Sequence, residues 1–264
     1  MSFQLPRFLK VRTNRRVRGA TATIVLIHGI GNTGDSWQDV IKVLPKTVNV
    51  ISIDLLGFGH SPKPKINYNV RIQAQSVFLT LLKLRVHRPI ILIGHSMGSL
   101  VSIELARYFP LPIKGLILCA PPLYRNKKEI TSRLAPEKVL TATYKKLVQD
   151  AKKHPTRYTK LADSISGTKL ASTEFTVDDQ ILPAYLDSII NGVIPQTSLT
   201  DIKKIKQPIK IIYGALDPLV VPANIQRLAR QCHHITADKV LASHEVTKAY
   251  HEKIVTALDG MIIK

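Results

Sequence analysis

Polar and apolar positions along the chain alternate between two rhythms. Short, mostly apolar runs occur at residues 22–27 (ATIVLI), 48–53 (VNVISI), 90–93 (IILI), 113–120 (IKGLILCA) and 209–213 (IKIIY). Runs of that length, apolar on both faces, predict strands buried inside a sheet. Between them, apolar residues recur three and four apart: Trp37, Val40, Ile41 and Leu44, then Val70, Ala74, Val77, Leu81 and Leu84, then Leu100, Val101, Leu105 and Ala106. This spacing predicts helices with one face against a core, the first of them capped by Asp35 or Ser36. Further helices are predicted over 222–231 and 246–258, with a weaker strand around 233–240 that begins at His233 and His234. Residues 1–18 have no clear period and predict one edge strand or a short hairpin. Strand and helix in alternation imply right-handed crossovers, hence an α/β fold with a mostly parallel, doubly wound sheet. Residues 121–200 break the alternation, being lysine-rich and helical in pattern without a strong buried strand. The expected organisation is a core of residues 1–120 and 201–264 carrying an insertion of residues 121–200.

Gly94-His95-Ser96-Met97-Gly98 lies between the 90–93 strand and the helix that follows, and matches G-x-S-x-G. A strand that turns directly into a helix forces its middle residue to positive φ, and the residues two positions away must lack side chains. The turn presents the Ser96 hydroxyl, with the following N–H groups at a helix N-terminus where negative charge is stabilised. An ordinary serine hydroxyl is a poor nucleophile. It needs a base within hydrogen-bond reach and an acid that fixes the base's tautomer. In an open α/β sheet such groups gather at the carboxyl ends of strands. Asp217 follows the 209–213 strand in a turn closed by Pro218, and His244 lies between the last strand and the last helix. Among nine histidines, His244 is the one so placed, and Ser96, Asp217, His244 is the chain order expected of this architecture. His28-Gly29-Ile30-Gly31 ends the first buried strand, so the Ile30 N–H can join that of Met97 as an oxyanion hole. His28, Trp37 and His95 are candidates for lining the pocket. For His28 a structural bond within its loop is the simpler role, and for Trp37 a core position is an equal alternative.

Composition changes little in this picture, whereas charge adds a question. The chain has 264 residues, 45% of them hydrophobic, enough for a sizeable core. Thirty-eight Lys and Arg oppose eighteen Asp and Glu, for a formal charge of +20. Such a field attracts anionic partners, a nucleic acid or an anionic membrane surface among them. However, the basic residues are spread out, and none of the stretches interleaves them with aromatics as a base-stacking surface would. The lysines of the insertion (Lys127, Lys128, Lys145, Lys146, Lys152, Lys153) read first as a solvated face. No apolar run is long enough to cross a bilayer. The apolar stretch after the basic first eighteen residues reads as a core strand and not as a signal. Cys119 and Cys232 show no metal spacing. Together these features lead us to expect a reduced, cytoplasmic protein with neither metal nor organic cofactor.

Taken together, HGIGNTGDSW (28–37), DLLGFGHSP (54–62), GHSMGS (94–99), YGALDPLVVP (213–222) and His244 resemble the α/β-hydrolase superfamily, specifically its small, cap-bearing, esterase- and lipase-like branch. The resemblance spans nearly the whole chain. It implies the α/β-hydrolase fold, Ser96 as nucleophile, Asp217 as acid, His244 as base, Ile30 and Met97 N–H groups as oxyanion donors, and residues 121–200 as a helical cap. Serine at 96 argues against the haloalkane dehalogenase and epoxide hydrolase branches, which carry aspartate there. Two departures stand out: few residues precede the first buried strand, and the usual glycine just before the base is absent. The expected activity is hydrolysis of a small or medium carboxylic ester. Carbon–carbon bond hydrolysis, acyl transfer and non-catalytic ligand binding on the same scaffold are the alternatives.

Overall fold

The structure, a computed structural model, describes residues 6–126, 129–132, 135–166 and 174–262. Lys127 and Lys128 of the basic insertion lie outside the described residues. Among the described residues, seven strands form one sheet: β1 (Val11–Arg15), β2 (Thr23–Ile27), β3 (Asn49–Ile53), β4 (Ile90–His95), β5 (Ile113–Cys119), β6 (Ile209–Gly214) and β7 (Ile235–Val240). Their order is β1-β3-β2-β4-β5-β6-β7. Six are parallel, and β1 runs antiparallel along β3 at one edge. Among its described residues, the basic N-terminal stretch thus supplies a single edge strand ahead of β2.

The central strands are apolar at nearly every position because both sheet faces are covered. Val25 and Ile27 of β2, Leu92 of β4 and Leu116 and Leu118 of β5 face one layer. That layer is packed by α2 (Val70–Lys83), α3 (Met97–Tyr108) and α8 (Pro222–Gln231). The intervening residues, Ile24, Leu26, Ile91, Ile93 and Ile117, face the other, packed by α1 (Gln38–Val43) and α9 (Lys248–Ile262). Period-two alternation with both faces apolar reads in sequence as a continuous run.

Three local expectations are corrected. The turn of 3₁₀-helix Gly34–Trp37 that leads into α1 is capped by Thr33, whose hydroxyl accepts the Asp35 N–H, and not by Asp35 or Ser36. Asp35 instead pairs with Arg12. His233 and His234 form a turn ahead of β7, where Ile235 N–H donates to the Cys232 carbonyl. The last helix begins at Lys248, two residues later than the apolar spacing suggests.

Between β5 and β6 the chain forms α4 (Pro136–Lys153), α5 (Pro155–Ile165), α6 (Leu182–Ser188), a π-helical turn at Ile189–Val193 and α7 (Ser198–Asp201). Val148, Ala151, Ala162, Val177, Leu182, Leu186 and Ile189 make a small apolar cluster of their own. α4 is tied to the sheet layers by a buried polar knot. Arg125 makes a two-pronged pair with Glu137, and Asn224 of α8 bridges Glu137 and the Leu123 carbonyl. At the other end, the Thr176 N–H donates to the Gly31 carbonyl at 2.8 Å, which brings the insertion onto the loop after β2.

Candidate active site

Ser96 joins β4 directly to α3 with φ 50° and ψ −118°. Only glycines allow so sharp a turn. A Cβ at Gly94 would lie 2.5 Å from the Gly98 carbonyl oxygen, and one at Gly98 would lie 2.1 Å from that of Ile27 on β2. The strain is held from both sides. Ser96 N–H donates to the Cys119 carbonyl at 2.9 Å, and Ser99 and Ser102 hydroxyls donate to the Gly94 and Gly98 carbonyls at 2.8 Å.

The fold brings Ser96, Asp217 and His244 together although 148 residues separate the first and last. The Ser96 hydroxyl lies 2.9 Å from His244 Nε2, and His244 Nδ1 lies 2.8 Å from Asp217 Oδ2. The carboxylate accepts, so the Nδ1–H donates to it, leaving Nε2 free to accept from the serine. Asp217 has no solvent-exposed side-chain surface, and its other oxygen accepts the Leu219 N–H at 2.8 Å. The loop carrying His244 crosses the end of β6 tightly. A Cβ on Gly214 would meet the Ala242 and Ser243 carbonyl oxygens at 2.4 Å. The glycine absent before the histidine therefore has a counterpart on the neighbouring strand, where the close approach occurs.

The three pocket-lining candidates separate. His95 lines the cavity over Ser96, donates Nε2–H to the His244 carbonyl at 2.9 Å and lies against the His244 ring, centroids 5.1 Å apart. Burial holds its imidazole below the ordinary range. His28 does not line it. Its ring is fully buried, donates Nδ1–H to the Gly29 carbonyl at 2.7 Å and accepts the Leu55 N–H on Nε2 at 2.8 Å. Burial pushes its pKa down to about 4. Trp37 is also elsewhere: it packs with Val40, Leu44 and Val50 beneath the sheet, because the helix it opens turns that face to the core. Ile30 lines the cavity, and Met97 opens α3, whose first N–H groups lack intrahelical acceptors.

The cavity measures about 190 Å³. Gly29, Ile30, Ser96, His95 and His244 form its floor. Tyr144, Phe175, Tyr185, Ile189 and Val193 of the insertion also line it, together with Leu219 and Glu245. Those insertion residues escaped sequence reasoning because each is one apolar position in an amphipathic helix or loop. Glu245 had a readable signal, its place next to His244. Among the described residues there is no cluster of three or more His, Cys, Asp or Glu side chains able to hold a metal. No described helix is long and apolar enough to cross a membrane.

Comparison with known proteins agrees with this architecture. The model of the alpha/beta hydrolase fold family matches residues 22–252, and the chain belongs to that family. A pimeloyl-[acyl-carrier protein] methyl ester esterase of Pseudoalteromonas atlantica is 30% identical over 240 residues, 84% of this chain and 87% of that protein. An uncharacterised protein of Mycobacterium tuberculosis is 36% identical over 120 residues, 46% of this chain; the match spans 35% of that protein. The chain thus aligns with about a third of such longer relatives. Among solved structures, an esterase from Exiguobacterium antarcticum superposes with a TM-score of 0.75 at 15% identity, covering 98% of this chain and all of the other, a likeness of fold.

Proposed function

We propose that the chain is a serine hydrolase of small carboxylic esters, with residues 121–200 acting as a cap over the site. The observation that carries this reading is the unbroken relay from Ser96 through His244 to Asp217, opening into a mainly apolar cavity of about 190 Å³. His244 Nε2 takes the Ser96 proton as Oγ attacks the ester carbonyl. Asp217 holds the ring in position and stabilises the imidazolium that forms. Charge developing on the carbonyl oxygen is met by the N–H groups of Met97 and Ile30, each such donor worth roughly 10²–10³ in rate. The imidazolium then protonates the leaving alcohol, giving an acyl-Ser96. Water, losing its proton to His244, attacks that ester; the proton returns to Ser96 Oγ and the carboxylic acid leaves.

The cavity is small for a drug-sized ligand, which favours short acyl chains. In a panel of nitrophenyl esters, turnover is expected to peak at short acyl length and to fall at least about 10³-fold in both Ser96→Ala and His244→Ala. Full activity in either folded variant would overturn the assignment.

A further inference from the structure

Despite a formal charge of +20, the cavity over Ser96 is lined by no lysine or arginine among the described residues. Its one lining carboxylate is Glu245. That side chain is partly buried and pairs with no basic residue among those described. It stands near enough to the His95 ring to favour its protonated form against burial. The remaining polar or titratable lining groups are Asn32, Ser96, His95, His244, Tyr144 and Tyr185.

The same cavity is lined by aromatic rings from the cap. The Phe175 and Tyr185 rings meet edge to face, centroids 6.2 Å apart and planes at 83°. Phe175 is fixed over the site: its ring rests where a Cβ on Gly31 would stand, and the next residue, Thr176, is bonded to the Gly31 carbonyl. Tyr144 adds a third ring. Burial raises the pKa of both tyrosines, Tyr185 to about 12, so these faces stay neutral. Aromatic rings and a carboxylate lining one small cavity are the chemistry that recognises an ammonium group, above all a quaternary one. A carboxylate- or phosphate-bearing substrate meets repulsion at the same place.

The geometry points to Glu245 as a specificity-determining residue that, with Phe175, Tyr144 and Tyr185, selects esters whose alcohol carries a cationic ammonium group. The alcohol side follows from His244: its imidazolium must reach the leaving oxygen, and Glu245 is the next residue on that loop. This inference names a substrate class for the ester-hydrolase site and rests on that reading. The basic surface and the acidic pocket act at different ranges. Salt screens the first beyond roughly 8 Å, whereas the second operates in contact.

The test uses two alcohols of nearly equal shape, choline and neutral 3,3-dimethylbutan-1-ol, titrated calorimetrically into the Ser96→Ala protein. Choline is expected to bind about tenfold tighter, and adding Glu245→Gln is expected to reduce that preference to about twofold. Equal affinities, absence of choline binding, or a preference that survives Glu245→Gln would overturn the inference. With unsubstituted protein, the kcat/KM ratio of choline acetate to 3,3-dimethylbutyl acetate is expected to be about ten; a ratio near one overturns it independently of how the variants fold. Failure of the ester-hydrolase reading looks different: neither acetate is turned over, while the titration still reports on Glu245.

Discussion

At the scale of single residues, the site is held in place by polar groups that never touch a substrate. Ser96 occupies a backbone conformation that costs of order 1–3 kcal/mol, and it persists because Cys119, Ser99 and Ser102 brace the turn. His28 braces the loop carrying Ile30, donating at Nδ1 and accepting at Nε2. A proton added at Nε2 removes that acceptor. The folded ring titrates near 4, against about 6.5 when exposed in the unfolded chain. Between those values the unfolded chain holds more protons, so stability is complete above about pH 6.5 and declines as pH falls towards 4. The decline from this residue is of order 3 kcal/mol. His95 and His251 are shifted in the same direction and add to it. Urea titrations from pH 7 to 4.5 are expected to show a shallower pH slope in His28→Asn than in the unsubstituted protein; identical slopes would contradict this role. The catalytic candidates were legible because each sits in a loop just past a strand. Trp37 was not, since helical spacing gives a face without saying whether core or cavity lies against it.

At the scale of elements, the strands were readable from runs apolar on both faces, and the turn at Ser96 because close backbone approach leaves a compositional mark. Gly94, Gly98 and Gly214 stand where another backbone passes within contact distance. Gly98→Ala sets a methyl group 2.1 Å from the Ile27 carbonyl oxygen. It is expected to lower Tm by several degrees and to abolish ester turnover. Gly260→Ala is the matched control, as its Cβ meets nothing within 4 Å inside α9. There the gain in helix propensity is expected to leave the protein level or more stable by about 0.5–1 kcal/mol. Calorimetric melting of the two variants checks both signs, and a harmless Gly98→Ala would show that β2 does not constrain the turn. The insertion was less legible. Its lysine-rich helices announce solvent, but the inward residues come from α4, the loop before α6, α6 itself and the π-helical turn. No single period connects Tyr144, Phe175, Tyr185 and Val193.

At the scale of the whole molecule, the parallel sheet gathers loops after β2, β4, β6 and β7 at one end, so residues from 29 to 245 share one cavity. Sequence order alone indicated this convergence, because parallel strands place all their carboxyl ends on the same side. Charge behaved differently. The +20 total describes the surface, while the cavity wall carries Glu245 and no described basic residue. Net composition cannot register which few side chains turn inward. The pairing of Ser96 with His244 is likewise a property of the whole fold, since the two lie 148 residues apart. The most direct measurement is therefore labelling with a fluorophosphonate, read by peptide mapping, on folded and urea-unfolded protein. Stoichiometric modification of Ser96 is predicted in the folded protein, with none after unfolding and none in Ser96→Ala. An unmodified Ser96 in the folded chain, or a label that persists in Ser96→Ala, would contradict the account.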